Sequence, residues 1–306
     1  MAEATEIEGL VVRTTGSWYD VLEADGKRRP CRLRGNYRLK GSKQTNPIAV
    51  GDHVRYVVLE DGTGLIGSIG ERRNCIIRRA TKLSKQTHVI AANVDLLCVV
   101  ATLGMPRTST GFIDRMLATA EAYGIAAMVV MNKCDLYDEA LWALHGEVAS
   151  IYRQAGYEVL EVSALTGMGV EELRKRVDGK VCLFSGHSGV GKSALLNALE
   201  PRLGLKVGEV SEWSMKGTHT TTFAEIFPLG NTYVIDTPGI KEFGLVGIPA
   251  QELSHFFPEM RARLSGCHFA NCTHCHEPGC AVKAAVEAGE ISAERYGNYL
   301  NMVESL

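Results

Sequence analysis

The octapeptide GHSGVGKS at residues 186–193 constrains the fold of this 306-residue chain more than any other feature. It matches the pattern G-x-x-x-x-G-K-[ST] at every fixed position and lies between an apolar strand pattern at 181–184 and a helical pattern at 192–199. In such a loop the glycines let backbone N–H groups turn inward around phosphates, and the helix start adds the positive end of its dipole. Strand and helix patterns alternate on both sides, which predicts an α/β domain with a mostly parallel sheet.

This phosphate loop and an acidic turn downstream of it are expected to hold a nucleotide and Mg²⁺. Lys192 should reach the β- and γ-phosphates and act in catalysis, and the Ser193 hydroxyl should bind Mg²⁺. An apolar strand pattern at 232–235 ends in Asp236, which should hold Mg²⁺ through water, while the N–H of Gly239 should face the γ-phosphate. The loop residues expected to contact nucleotide are Gly186, His187, Ser188, Gly189, Val190, Gly191, Lys192, Ser193 and Ala194.

The base is expected to be read by a second segment, N-K-C-D, which follows a strand pattern at 126–131. The carboxylate of Asp135 can accept both the N1–H and the N2–H of guanine, whereas adenine would leave it mismatched. A Ser-Ala pair after the strand pattern at 158–162 should close the base pocket with a backbone N–H for the guanine O6. The residues assigned to guanine are Asn132, Lys133, Cys134, Asp135, Ser163 and Ala164. These segments predict GTP and GDP as ligands and argue against a P-loop kinase.

The order of these motifs is unusual. In most GTPases the phosphate loop comes first and the guanine-reading segments come last, but here the guanine segments precede the loop. Such a permutation is tolerated when the ends of a domain lie close together on its surface. One consequence is that the segment after Asp236 leads directly into the C-terminal region, so a movement driven by the γ-phosphate could be passed to that region.

Three domains are predicted. Residues 1–83 contain five short strand patterns, at 9–13, 18–22, 32–34, 53–58 and 64–69, with Asp-Gly turns at 25–26 and 61–62. This arrangement is typical of a small OB-like β-barrel. Residues 84–246 form the permuted α/β GTPase domain. Residues 247–306 hold a Cys/His cluster between helical segments, and this region is too short for a large core of its own, so a bound metal would stabilise it.

The predicted barrel carries a basic run, although the net charge of the whole chain is −2. Eight lysines and arginines and no acidic residue lie between Gly26 and Gly51, so the run needs counterions or an anionic partner unless it is only a solvated face. RNA is the expected partner, bound chiefly through phosphates because Tyr37 is the single aromatic residue of the run. The residues assigned to RNA are Arg32, Arg34, Arg38 and Lys40.

Four of the nine cysteines fall between residues 267 and 280, together with three histidines. Three thiols and one imidazole suit tetrahedral Zn²⁺ in a closed structural site, and free cysteines in a loop are the alternative. Cys275 and His276 are additional donors, so spacing alone does not select the ligands.

No apolar run approaches the length of a membrane span and the N-terminus is acidic. A cytoplasmic monomer with no membrane partner is therefore expected.

The chain resembles the RsgA (YjeQ) family of circularly permuted GTPases over essentially its whole length. The matching segments are 46–52 in the barrel (NPIAVGD), 132–135, 186–193, 219–222 (HTTT), 236–239 (DTPG) and the Cys/His cluster at 267–280. Thr218 departs slightly, since the family often has a basic or amide residue there, but His219 stays in register.

The resemblance implies a late-acting assembly factor of the small ribosomal subunit that binds ribosomal RNA and whose slow GTPase is stimulated by that subunit. It selects one structural zinc per chain, bound by Cys267, Cys272, His274 and Cys280. It also implies that His219 positions the attacking water. One of Thr220, Thr221 or Thr222, with Thr221 or Thr222 preferred, should complete the Mg²⁺ shell. Ile240 stands where many GTPases have a water-orienting glutamine, which leaves a GTP-binding RNA scaffold with negligible turnover as the alternative function.

Overall fold

The computed structural model describes residues 5–35, 46–79, 87–205, 225–236, 245 and 248–306, with the backbone only at 78, 79, 87 and 236. The chain divides into two compact units. The barrel unit contains residues 1–95, 177–183 and 212–243, and the nucleotide unit contains residues 96–176, 184–211 and 244–306.

The described strands are β1 (Ile7–Thr15), β2 (Trp18–Leu22), β3 (Arg28–Leu33), β4 (His53–Val58), β5 (Gly64–Ile69), β6 (Cys75–Arg79), β7 (Thr87–Ala92), β8 (Leu96–Ala101), β9 (Ala126–Met131), β10 (Glu158–Glu161), β11 (Val181–Ser185), β12 (Glu225–Leu229) and β13 (Thr232–Asp236). The described α-helices are α1 (Thr110–Ala122), α2 (Glu139–Gln154), α3 (Val170–Val177), α4 (Lys192–Leu199), α5 (Pro258–Arg261), α6 (Ala281–Glu287) and α7 (Ala293–Ser305).

Five strands of the barrel unit close into the predicted small barrel. Their order is β1-β2-β3-β5-β4, and β4 pairs back onto β1, while β3 and β5 run parallel. Alternate residues of each strand face inward, so that Val21, Cys31 and Tyr56 belong to one buried cluster. The third strand begins at Arg28, earlier than the predicted Arg32, because Arg29 and Cys31 point into the barrel and extend the alternation.

The barrel unit also contains strands from the central part of the chain. Strands β12 and β13 form an antiparallel hairpin, and β13 runs parallel to β11. The separate hairpin of β6 and β7 was not predicted. Its neighbourhood is fixed by a buried ion pair between Arg72 and Asp52, whose side chains are 2.7 Å apart.

The nucleotide unit is built on the parallel strands β8, β9 and β10. Every residue of β8 is buried, as expected for a central parallel strand. Helix α1 is capped by the Ser109 hydroxyl, and α2 by the Asp138 carboxylate, which accepts the Leu141 N–H at 2.9 Å. Among the described residues, no helix combines the length and apolar character needed to cross a bilayer.

The C-terminal region shares its core with α1. Ala118 of α1 belongs to the same buried cluster as Phe257 and Tyr299. At the centre of this contact the guanidinium of Arg295, 2% exposed, donates to Asp114 of α1 at 2.6 Å and to Glu259 at 2.7 and 3.2 Å. The region therefore has a larger core than its length suggested, and a buried ion-pair network joins it to the α/β part of the unit.

Replacement of Arg295 by methionine is expected to lower the free energy of unfolding by about 3–5 kcal/mol at pH 7, because two buried carboxylates lose their cation. Burial raises the pKa of Asp114 to about 6. This carboxyl is therefore charged at pH 7 and largely protonated at pH 5, so the loss should shrink at the lower pH.

The matched control is Arg263→Met, which removes an exposed arginine whose ion pair with Glu290 is 2.8 Å long and should cost less than about 1 kcal/mol. Chemical denaturation at both pH values provides the measurement. Equal losses in the two variants would contradict the structural role of Arg295.

Candidate nucleotide site and metal centre

At two glycine positions of the phosphate loop there is no room for a side chain. A Cβ at Gly186 would lie 2.3 Å from the Val100 carbonyl oxygen, and one at Gly191 would lie 2.5 Å from the side-chain nitrogen of Asn132. Gly191 has φ +92°, which favours glycine, and it precedes α4 without a side-chain cap. The first N–H groups of α4 are thus left uncapped by a side chain at the end of the loop, where a phosphate would bind.

Lys192 curls back over this loop. Its ammonium donates to the carbonyl oxygens of Gly186 at 2.7 Å and His187 at 2.8 Å. These two contacts fix the charge against the loop backbone, where it can also reach phosphate oxygens. The rings of His187 and Phe112, on α1, lie 4.0 Å apart between centroids, so α1 supports the loop from one side. This support by Phe112 was not predicted from the sequence.

Asn132 joins the phosphate loop to both guanine segments. Its buried side chain donates to the Val190 carbonyl at 2.9 Å and accepts from the Ala164 N–H at 3.2 Å. Both the nitrogen and the oxygen of one amide are used, so this residue fixes the spacing of three separate segments. The structure therefore brings together the predicted phosphate and guanine residues from 132 to 194.

Asp135 presents its carboxylate at the surface of this assembly. The Ser163 hydroxyl donates to one carboxylate oxygen at 2.5 Å and accepts from the Thr166 N–H at 3.1 Å. The hydroxyl thereby fixes the orientation of the carboxylate, and lone pairs remain for the two N–H groups of a guanine edge.

The two central residues of the N-K-C-D segment have supporting positions. Lys133 adopts φ +65° and donates its ammonium to the Met105 carbonyl at 3.0 Å. Cys134 is buried, and burial raises the pKa of its thiol to about 11, so it is a neutral packing group at pH 7.

The switch residues lie mostly outside the described residues. This applies to His219, Thr221, Thr222 and Gly239, and also to Ile240. Asp236 is the last residue of β13, in the barrel unit, and only its backbone is described. The assignments of all the Mg²⁺ ligands, Ser193 included, thus stay predictions.

Four metal-binding side chains meet in the C-terminal region. The ligand atoms of Cys267, Cys272, His274 and Cys280 lie within 4.8 Å of one another. The Nδ1 atom of His274 faces the thiols, at 3.6 Å from Cys267 Sγ and 3.3 Å from Cys280 Sγ. Burial lowers the pKa of His274, so the imidazole is in its neutral, ligating form at pH 7.

The two additional donors are not part of this cluster. Cys275 directs its sulfur to the Thr273 carbonyl at 3.4 Å, and His276 is exposed. The Glu277 carboxylate accepts N–H groups from Thr273, Cys275 and His276, which holds the loop in shape.

Helix α7 supports the same loop. The hydroxyl of Tyr296 donates to the His274 carbonyl at 2.6 Å, and the hydroxyl of Tyr299 donates to the Thr273 carbonyl at 2.7 Å. These supporting residues were not predicted, since nothing in the sequence relates α7 to a loop more than twenty residues earlier.

Three features define the class of protein as a circularly permuted P-loop GTPase. They are the phosphate loop, the guanine segments joined to it through Asn132, and the permuted order of the motifs. Two family models match the chain, the RsgA N-terminal domain over residues 8–66 and the RsgA GTPase over residues 69–246. The chain belongs to the RsgA GTPase family.

Curated relatives extend this match to nearly the full length. A protein of Bacteroides fragilis named small ribosomal subunit biogenesis GTPase RsgA is 50% identical over 97% of this chain and 96% of its own length. A protein of the same name from Flavobacterium psychrophilum is 48% identical over 97% of this chain and 92% of its own length.

Solved structures agree with the fold. YjeQ from Thermotoga maritima has a TM-score of 0.82 and 38% identity, and the match covers 99% of both chains. YloQ, described as a circularly permuted GTPase, has a TM-score of 0.78 and 30% identity, over 99% of this chain and 96% of its own. The predicted family, the fold class and the activity of a GTP hydrolase are confirmed.

Proposed function

We propose that this protein hydrolyses GTP as a late-acting assembly factor of the small ribosomal subunit, binds ribosomal RNA and is stimulated by that subunit. The relatives that match it from end to end carry the name small ribosomal subunit biogenesis GTPase. The observation that carries the nucleotide part of the proposal is the buried amide of Asn132, which holds the phosphate loop and the guanine segments in one site.

In the proposed hydrolytic step, each of a small number of residues has a separate role. Lys192 stabilises charge on the β- and γ-phosphates, and Ser193 with Asp236 and either Thr221 or Thr222 holds the Mg²⁺ that accompanies GTP. His219 orients the attacking water, because Ile240 has no group that could do so.

Binding to the subunit is expected to depend on the nucleotide. Co-sedimentation of the protein with purified small subunits, in GTP and in GDP, should show tighter association with GTP, since only GTP offers a γ-phosphate to the switch segments. Failure to sediment with small subunits in either nucleotide would contradict the proposed role. A GTP-binding scaffold would sediment normally but leave the GTP intact.

The proposed metal is one structural Zn²⁺ per chain. Three thiols and a neutral imidazole are the donor set of a closed tetrahedral site. Burial raises the pKa of the Cys272 thiol to about 12, so this group needs a bound cation to become a thiolate at pH 7. Cys267, Cys272, His274 and Cys280 would hold the ion, and its role is to stabilise the C-terminal loop.

Cys280→Ser is expected to abolish zinc binding and to lower the thermal stability of the protein. Cys280 also caps α6 by accepting the Lys283 N–H, and serine can replace that contact, so the variant removes chiefly the metal ligand. Cys272→Ser should behave alike. Elemental analysis should find one zinc per chain in the wild type and in the control Cys275→Ser. Zinc at wild-type content in Cys280→Ser would refute the assigned ligand set.

The basic run of the barrel is partly neutralised in the structure. Arg29 is buried and pairs with Glu23 at 2.6 Å, and Arg28 lies 3.4 Å from Glu225. These two arginines therefore have their anionic partners within the chain but outside the run. Arg32 and Arg34 are exposed, whereas Arg38 and Lys40 lie outside the described residues.

Replacing Arg32, Arg34, Arg38 and Lys40 by alanine should weaken binding to the small subunit and make its salt dependence shallower. For every phosphate that the variant no longer neutralises, the slope of log affinity against log salt should fall by about 0.7–0.9. A salt series of subunit binding provides the measurement, with Arg55→Ala as control because Arg55 is an exposed barrel arginine paired with Glu8. Unchanged affinity and slope would move the RNA contacts to another part of the chain.

The same proposal includes the domain boundaries, the oligomeric state and the cellular location of the protein. The domain boundaries are 1–83 for the barrel, 84–246 for the GTPase and 247–306 for the zinc region. The protein is a cytoplasmic monomer without a membrane partner, as expected for an assembly factor that meets its subunit in the cytoplasm.

A further inference from the structure

An indole and a guanidinium are stacked on the outside of the barrel. Trp18 begins β2 and lies directly opposite Arg32 of β3 in the antiparallel register. The guanidinium carbon of Arg32 is 3.8 Å from the centroid of the indole ring, which is van der Waals contact. Arg32 is exposed and Trp18 is half-buried, so the pair is accessible from solvent.

Arg32 differs from the neighbouring arginines of its strand in what it contacts. Arg28 and Arg29 lie against carboxylates, whereas in the described ranges Arg32 has no carboxylate within ion-pair distance. Hydrogen bonds from Thr63 lower the pKa of Asp61, and the charge of Arg32 lowers it to a smaller extent. Arg32 thus keeps its charge largely available to a partner.

The direct register neighbours of the pair on the adjoining strands are uncharged. In register, Trp18 lies beside Thr15 of β1, and Arg32 lies beside Leu65 of β5. The acidic residue of β2 on this face is Asp20, two positions from Trp18, and its register partner on β1 is Arg13. A planar, apolar and cationic surface therefore spans β2 and β3.

We propose that Trp18 and Arg32 form a stacking platform for one base of single-stranded RNA, an inference that rests on the proposed RNA-binding function. Bases in single strands stack on aromatic rings and on guanidinium planes, and both are present here in contact. An acidic peptide would need the charge of Arg32 but would gain nothing from the indole beneath it. The expectation that stacking contributes little rested on the aromatic residues within the basic run. Trp18 lies outside that run in the sequence, and the sheet places it opposite the run.

The test compares two ligands that differ only in their bases. A short oligouridylate and an abasic oligomer with the same number of phosphates are titrated against the full-length protein. The wild type should prefer the oligouridylate by roughly 5- to 150-fold, the range expected for one stacked base. Arg32→Lys keeps the charge but loses the planar guanidinium. It should therefore abolish most of the preference for the oligouridylate, while the salt dependence of the affinity stays unchanged.

Trp18→Leu should reduce the preference in the same way, and Arg55→Lys should leave it at the wild-type value because Arg55 pairs with Glu8 away from this register. A base preference in Arg32→Lys equal to that of the wild type would overturn the platform, even if RNA binding persists. Equal wild-type affinity for the two ligands would also overturn it, and would still allow RNA binding through phosphates. If the wild type bound neither ligand, both the platform and the RNA-binding role of the barrel would be contradicted.

Discussion

Asp135→Asn should change the nucleotide preference of this GTPase from guanine to xanthine. In the proposed site the carboxylate of Asp135 would accept two N–H groups of guanine, and the asparagine side chain would instead place an N–H group against the amino group of the base. Xanthine has a carbonyl at that position, so the amide donor matches it. A site built to pair with one base edge discriminates by as much as about 10⁴–10⁵-fold, because an unmatched base leaves polar groups unpaired.

Competition binding with GTP and xanthosine triphosphate measures this exchange. Asp138→Asn is a suitable control, because Asp138 lies nearby but caps α2, and asparagine caps helices equally well. The control should keep the wild-type preference for GTP. An Asp135→Asn variant that still preferred GTP would remove the guanine site from residues 132–135.

Lys192→Ala should reduce GTP turnover by roughly 10²–10³-fold or more while the fold stays intact. Its ammonium is held against the loop backbone by Gly186 and His187, in position to stabilise charge that develops on the phosphates. Removing one such electrostatic interaction from a preorganised site has an effect of about this size. Ser193→Ala should also abolish turnover, because it removes the hydroxyl proposed to bind Mg²⁺.

Single-turnover hydrolysis measures the effect, and circular dichroism checks the fold. The control is Lys175→Ala, an exposed lysine of α3 that lies near Glu172 at 3.9 Å. Turnover at the wild-type rate in Lys192→Ala would exclude the phosphate loop from catalysis.

Local patterns predicted the helices and strands that build the nucleotide site. The predicted range 192–199 coincides with α4, because its continuous helical period begins after Gly191 and ends before Pro201. Strand β3 was predicted to begin too late, since its charged residues and Pro30 hide the alternation that buries Arg29 and Cys31.

Contacts between residues distant in sequence were not predictable. Asp114 and Arg295 are 181 positions apart, and each looks like an ordinary surface charge until the fold buries both. Trp18 and Arg32 meet only through the register of two strands. Strand register and burial depend on how the whole unit packs. The residue pattern of a single segment carries no information about that packing.

If the GTPase acts on the small ribosomal subunit, its rate of GTP hydrolysis should depend on which purified subunit is present. The protein is assayed alone, with small subunits and with large subunits under the same ionic conditions. The proposed function predicts slow hydrolysis alone, strong stimulation by the small subunit and none by the large one. Equal rates in all three assays, or equal stimulation by both subunits, would contradict it.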